Sequence, residues 1–211
     1  NAYNRGNCDP AALTADLGSL WKVNRAVLKP YASCRSAHSA IDALQDILQT
    51  LKKAPEEIAS ITIRCSKMLM DMCGHKNIET MASAQMSLPY ALAARCAFGT
   101  AGLKAYDERN RQSDEAARYL SIIQLNVDET MKPLDEPYVM ITFQDGQSME
   151  VDVPRATGSS ERPMPQEDIK AKFMELSCMA IPRSQANALW AHIMDLDQSE
   201  NSDDLSVLLT K

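Results

Sequence analysis

The chain has 211 residues, enough to bury a sizeable core as one large domain or two small ones. Its 45% hydrophobic and 24% charged residues are ordinary for a globular protein, and its net charge of -6, with a pI near 5.1, gives no basic stripe for nucleic acid. No apolar run approaches the roughly 20 residues that cross a bilayer, so no membrane span is expected.

The first residues, Asn1 to Asn7, are polar, lack an initiator Met and carry no signal-peptide core, so a cut end is expected there. Residues 1–24 predict one short helix, with Asp9 as N-cap, Pro10 in the first turn and Gly18 as its end. Ala26–Lys29 reads as a short strand running into a loop, because Lys29 precedes Pro30 and is biased to extended geometry. Residues 36–53 predict an amphipathic helix. Ala37, Ala40, Ile41, Leu44, Ile47, Leu48 and Leu51 recur at three- and four-residue spacing, and Ser36 is the candidate N-cap.

Ile58 to Ser66 alternates and is β-branched, which predicts a half-buried strand. Residues 67–82 are ambiguous, with a turn at Gly74–Asn77. A second helix is expected over 87–105, capped by Ser87 and apolar nearly all round, hence buried. A short helix capped by Ser113 follows over 113–124, then a strand over 125–132 with the pattern beginning at Ile123. Tyr138–Phe143 and Ser148–Val153 form a hairpin about Asp145-Gly146. After a loop over 155–165, helices are expected at Gln166–Met179, Ser184–Leu196 and Asp203–Leu209. The order implies an α+β fold class, with sheet and helices to about residue 155 and helices alone afterwards.

The six cysteines are scattered, with no CxxC pair. They read as reduced thiols of a cytoplasmic protein, not as disulfides or a zinc site. Twelve methionines against three phenylalanines predict adaptable core packing. There is no GxGxxG, P-loop, HExxH, GxSxG or iron–sulfur spacing, so no nucleotide, metal or flavin cofactor is indicated.

Three constellations could carry chemistry. Lys29, Arg35 and His38 bring three potential positive charges to a loop entering a helix N-terminus, a place suited to carboxylates. By spacing alone they are as readily surface residues. Tyr90, in the first turn of a buried helix, must place its hydroxyl on something polar, as a proton donor or as a core tyrosine. His75-Lys76 in a turn reads as surface.

Leu28 to Ala43 resembles the K-P-Y-x-x-C-R-x-x-H-x-x-I-D-A stretch of the MmgE/PrpD family, the family of 2-methylcitrate dehydratase. Four further segments agree in order: Pro55 to Ile63, Ala84 to Tyr90 (similar to A-x-x-S-x-P-Y), the Asp145-Gly146 hairpin, and Pro163 to Phe173. The resemblance implies a C-terminal part only. Residues 1–25 would be a connecting segment, 26–160 an α+β lid, and 161–211 the last helices of an all-helical domain whose larger N-terminal part is missing. It implies metal-independent chemistry on small di- and tricarboxylates: dehydration of 2-methylcitrate, decarboxylation of cis-aconitate or epimerisation of iminodisuccinate. Each passes a carbanion-like centre beside a carboxylate, which calls for fixed cations and a positioned acid or base. By resemblance, Lys29 binds a substrate carboxylate or developing charge, His38 supports that pocket, Tyr90 donates a hydrogen bond or proton, and Arg35 is a weaker binding candidate. A hydro-lyase without cofactor, homodimeric and inactive as this piece alone, is the expectation. A domain that only mediates assembly is the competing one.

Overall fold

The computed structural model describes residues 9–198 and 203–209. Its centre is a four-stranded sheet of β1 (Ile58–Cys65), β2 (Ile123–Val127), β3 (Tyr138–Phe143) and β4 (Ser148–Asp152), in the order β2-β1-β3-β4. β1 pairs parallel with β2, Ile61 opposite Ile123, and antiparallel with β3, Ile61 opposite Ile141. β3 and β4 form the expected hairpin, and Gly146 takes a φ of +86° at its turn, a conformation glycine adopts without strain.

Alternation decides the two faces of the sheet. Ile61, Ile63, Cys65, Ile123, Val139, Ile141 and Phe143 are buried on one side, while Arg64, Met140 and Glu150 stand on the other. The buried face is covered by α1 (His38–Leu51) and α4 (Leu88–Phe98). α1 contributes Ala40, Ile41, Leu44 and Ile47, a stripe at helical spacing. At about 1.5–3 kcal/mol for each large side chain fully buried, this layer is the principal stabilising contact of the fold.

α4 is buried all round because it serves two cores. Leu88, Ala91 and Leu92 face α1 and the sheet. Tyr90 and Ala94 face a smaller cluster with Ala84, Ala105, Tyr106 and Ala116. Its run of alanines lets neighbouring backbones approach closely. Ser87 caps it, accepting from the Tyr90 N–H at 3.2 Å, and Gly99 ends it at a φ of +67°, so that its last helical residue is Phe98, short of the expected end at 105.

The ambiguous stretch over 67–82 holds two short helices, α2 (Lys67–Cys73) and α3 (Met81–Gln85), capped by Ser66 and Thr80. α5 (Glu108–Arg111) and α6 (Asp114–Ser121) follow, α6 under its expected Ser113 cap. Then come α7 (Gln166–Ser177), α8 (Arg183–Met194) and α9 (Asp203–Leu209), packed in sequence against one another. The mixed sheet with helices on one face and helices at the C-terminal end is the α+β class expected. Among the described residues no helix is long and apolar enough to cross a membrane.

Four expectations are corrected. Asp9 accepts from the Ala11 N–H as a cap, but it opens only a 3-10 turn, Pro10–Leu13, not a helix to Gly18. Ala26–Lys29 joins no sheet; it is tied by the Leu28 N–H to the Gly158 carbonyl at 3.0 Å and by Lys172, which donates to the Lys29 carbonyl. Ser36 does not cap α1, because residues 35–37 already wind into a 3-10 turn and α1 begins at His38 without a side-chain cap. The strand expected over 125–132 lies at Ile123–Val127, where the pattern itself begins.

Two substitutions test this backbone. Gly158 has a φ of +90°, and a Cβ there would sit 1.8 Å from the Leu28 carbonyl oxygen. Gly158→Ala is expected to cost about 2–4 kcal/mol, strain plus the lost bond, read as a lower urea midpoint at an unchanged slope. Lys52 ends α1 at a φ of 53° and ψ of 42°. Lys52→Gly is expected to stabilise by about 0.5–1 kcal/mol in the same measurement, because glycine adopts the left-handed region without a Cβ clash.

Candidate active site

The loop from Lys29 to His38 is held from three sides. The Leu28 N–H reaches the Gly158 carbonyl, the Ala32 N–H the Ala101 carbonyl at 2.9 Å, and the Cys34 N–H the Gln85 carbonyl at 2.8 Å. Lys172 of α7 donates to the Lys29 carbonyl. With its backbone so fixed, the loop turns the Ser33 carbonyl towards two side chains. The Lys29 Nζ and the His38 Nε2 each lie 3.3 Å from it.

That geometry determines the state of His38. A carbonyl accepts, so Nε2 carries the proton. The ring is fully buried, and burial is the main cause that lowers its pKa from 6.5 to about 4. The Ser33 carbonyl favours the charged form, while the charges of Arg35 and Lys29 oppose it. His38 is therefore a neutral imidazole at pH 7. Its Nδ1 lone pair is buried and has no partner, and the Tyr31 ring meets it edge-on at 5.2 Å.

Tyr31 links the loop to α1. Its hydroxyl donates to Asp42 Oδ1 at 2.5 Å. Asp42 is 3% exposed, and its other oxygen accepts from the Thr157 N–H at 2.7 Å, with Arg162 at 3.7 Å. Burial first, then the Asp42 carboxylate, push the Tyr31 phenol far above its usual range, so it stays protonated and donating. Burial also raises the pKa of Asp46, one turn on, against the pull of Arg162 at 3.8 Å.

Pro30, Tyr31 and Ala32 wall a cavity of about 720 Å³, closed on its far side by α7. Its charged lining is mixed: Arg95, Arg162 and Lys172 against Asp42, Asp46, Asp168 and Glu175. Arg95 donates to Gln45 Oε1 at 3.3 Å. Among the described residues no three His, Cys, Asp or Glu side chains are grouped to hold a metal.

Of the residues predicted from sequence, Lys29 and His38 are brought together and Arg35 and Tyr90 are not. Arg35 turns away and pairs with Glu136 Oε1 at 3.1 Å, while Glu136 Oε2 accepts from Ser39 Oγ at 2.6 Å. Tyr90 is fully buried in the smaller core, where its hydroxyl donates to the Ala105 carbonyl at 2.6 Å and burial pushes its pKa up to about 12. His75 is exposed and offers its carbonyl to Ser87 Oγ. None of Lys29, Arg35, His38 and Tyr90 lines the 720 Å³ cavity. Tyr31, Asp42 and Arg162, which do, were not among the candidates. Tyr31 stands inside the quoted motif, and Asp42 lies four residues after His38 on the same helix face. For Arg162 the sequence carries no signal.

His38 gives a pH prediction. A histidine whose folded pKa lies below its unfolded one binds the proton better when unfolded. Its stabilising contribution is whole above about pH 6.5 and is lost as pH falls towards 4. The loss is expected to be about 3 kcal/mol, and His38→Gln should flatten it when chemical unfolding is followed between pH 7.5 and 4.

The sequence matches the MmgE/PrpD C-terminal domain over residues 31–198. It is also 26% identical over 212 residues to cis-aconitate decarboxylase of Aspergillus terreus, an alignment covering 93% of this chain and 43% of that protein. The chain thus spans less than half the length of that curated relative. The matched region runs from Tyr31 through the sheet and α7 to the residues after α8, so it contains the His38–Asp42 face, the cavity lining other than Pro30, and the return loop at Thr157. By that match the chain belongs to the MmgE/PrpD family.

Proposed function

We propose that this chain supplies part of the carboxylate-binding active site of a metal-independent lyase acting on a small di- or tricarboxylate, of the 2-methylcitrate dehydratase kind. The observation that carries the reading is the meeting of the Lys29 ammonium and a neutral His38 at the Ser33 carbonyl, beside a cavity walled by the next three residues of the loop. A bond of 3.3 Å to a neutral carbonyl is a weak hold on an ammonium. A substrate carboxylate is a better partner, through a charge-assisted bond.

In this reading Lys29 binds the carboxylate next to the reacting carbon and stabilises the charge that grows there. His38 stays neutral and, through Ser33, holds the loop at the height that presents Lys29. A protonated His38 would add a third cation beside Lys29 and Arg35, which the burial of its ring opposes. Tyr90, whose hydroxyl proton goes to the Ala105 carbonyl, serves as support within the smaller core. The acid and base that move the carbon-bound proton would come from helical segments beyond this chain. Decarboxylation is the alternative within the family, favoured by the match to a cis-aconitate decarboxylase. Both reactions need the same fixed cation.

A second reading, an assembly domain without chemistry, is favoured by the exposed apolar side chains at the C-terminal end. Met179 is 56% exposed, Val207 71% and Leu209 60%. Size-exclusion chromatography of this chain alone and with a helical N-terminal segment separates the readings when read beside calorimetry. Assembly without ligand binding supports the second.

For the first, calorimetric titration of the longer protein with 2-methylcitrate, citrate and cis-aconitate is expected to show binding. Lys29→Ala should weaken it about 10- to 100-fold, the loss of one charge-assisted contact. Equal, negligible binding by the longer protein and its Lys29→Ala variant removes the carboxylate assignment.

A further inference from the structure

Away from the Lys29 loop, a depression of about 620 Å³ is lined by Lys76, Asn77, Ile78, Glu79, Arg111 and Gln112. Arg111, at the end of α5, is 7% exposed. Its Nε donates to the Tyr106 carbonyl at 3.0 Å, and its Nη1 donates to the carbonyls of Ile78 and, at 2.8 Å, Glu79. Its remaining nitrogen, Nη2, makes no hydrogen bond within the described protein and is not sealed from solvent.

Three carbonyls explain why the guanidinium staples the 78–79 segment to the turn before α5. They do not neutralise it. A buried cation without a counter-charge is costly, and arginine is rarely buried this far unless paired. No Asp or Glu among the described residues forms an ion pair with it.

Lys76 stands exposed at the rim of the same depression. Its ammonium donates to the Leu120 carbonyl at 2.7 Å and has no carboxylate partner among the described residues. Asn77 gives its side-chain oxygen to the Glu79 N–H at 3.0 Å, which leaves its amide NH2 as a further donor. Glu79 is the one carboxylate on this wall; it is exposed and pairs with neither cation. In a chain of net charge -6, a buried guanidinium without an ion-pair partner, an exposed ammonium and a spare amide around one depression mark it for a negative ligand.

We propose that this depression is a binding site for a small oxyanion, a phosphate or a carboxylate, held between Arg111 Nη2 and the Lys76 ammonium. An oxygen of the anion accepts from Nη2, the one guanidinium nitrogen left without a protein partner, while the ammonium supplies a point charge. The site has a route to the rest of the molecule. Arg111 holds the Tyr106 carbonyl, and the Tyr106 ring stands edge-on to Tyr90 at 5.4 Å.

The test is a titration of the 15N-labelled chain with inorganic phosphate at constant ionic strength, followed by amide and arginine Nε shifts, with acetate and chloride in parallel. Saturable shifts confined to residues 76–79 and 106–112 are expected with phosphate, with acetate or with both, and none with chloride. The responding anion identifies the source. Lys76→Gln, a change at an exposed residue, should weaken binding about tenfold at an unchanged melting temperature. Arg111→Lys, which keeps the charge and loses the fork, should weaken it as well; if that variant does not fold, the Lys76→Gln comparison decides. Shifts that never saturate, that chloride reproduces, or that Lys76→Gln leaves unaltered overturn the site.

Discussion

A buried carboxylate organises the part of the molecule that bears the candidate chemistry. Asp42 sits on α1 with its side chain withdrawn from water, a position that costs several kcal/mol unless every lone pair finds a donor. Its donors come from separate stretches of chain: the Tyr31 hydroxyl, the Thr157 N–H and, at longer range, Arg162. Satisfying one charge therefore fixes the motif loop, the first face of α1 and the return loop against one another. The close approach of Gly158 to Leu28 belongs to the same closure, since Thr157 and Gly158 are adjacent.

Within that frame the Ser33 carbonyl receives two basic groups, and the arrangement holds because only one is charged. Lys29 reaches the surface, while His38 is buried and stays neutral. Desolvation outweighs the carbonyl's attraction for a cation, and the neighbouring charges of Lys29 and Arg35 add to it. The outcome is one exposed cation on a loop that borders a cavity.

The two aromatic hydroxyls most open to a catalytic reading behave differently from one another. Tyr31 borders the 720 Å³ cavity and is bound to a carboxylate, so its proton is held tightly. Tyr90 is engaged with a backbone carbonyl inside the smaller core and stacks edge-on with Tyr106. Beneath the loop, Ser33 Oγ and the Tyr106 hydroxyl lie near each other and make no hydrogen bond of ordinary geometry. This polar spot behind the Lys29 loop is the least satisfied region of an otherwise well-paired core.

Much of the fold was legible from the amino-acid order alone. Period-3.6 and period-2 patterns gave α1, β1 and the β3–β4 hairpin, because burial on one face imposes those repeats locally, while α4 was legible from its Ser87 cap and a run apolar nearly all round. Ser87, Ser113 and Gly146 were readable as caps and turn because their backbone roles depend on near neighbours. The motif containing Lys29, His38 and Asp42 pointed to the family. The partners, however, are decided by contacts across the chain. Arg35 meets Glu136 over a separation of 101 residues and Asp42 meets Thr157 over 115, and no local pattern encodes either. Likewise Ser36 has a good N-cap side chain, but the 3-10 turn imposed by the pinned loop moved the helix start past it. The sequence by itself determined which segments could be buried and in what periodicity. The tertiary structure alone decided which charges were neutralised, which hydroxyls were consumed and which cation remained available, because those depend on donors and acceptors that meet only when the chain closes.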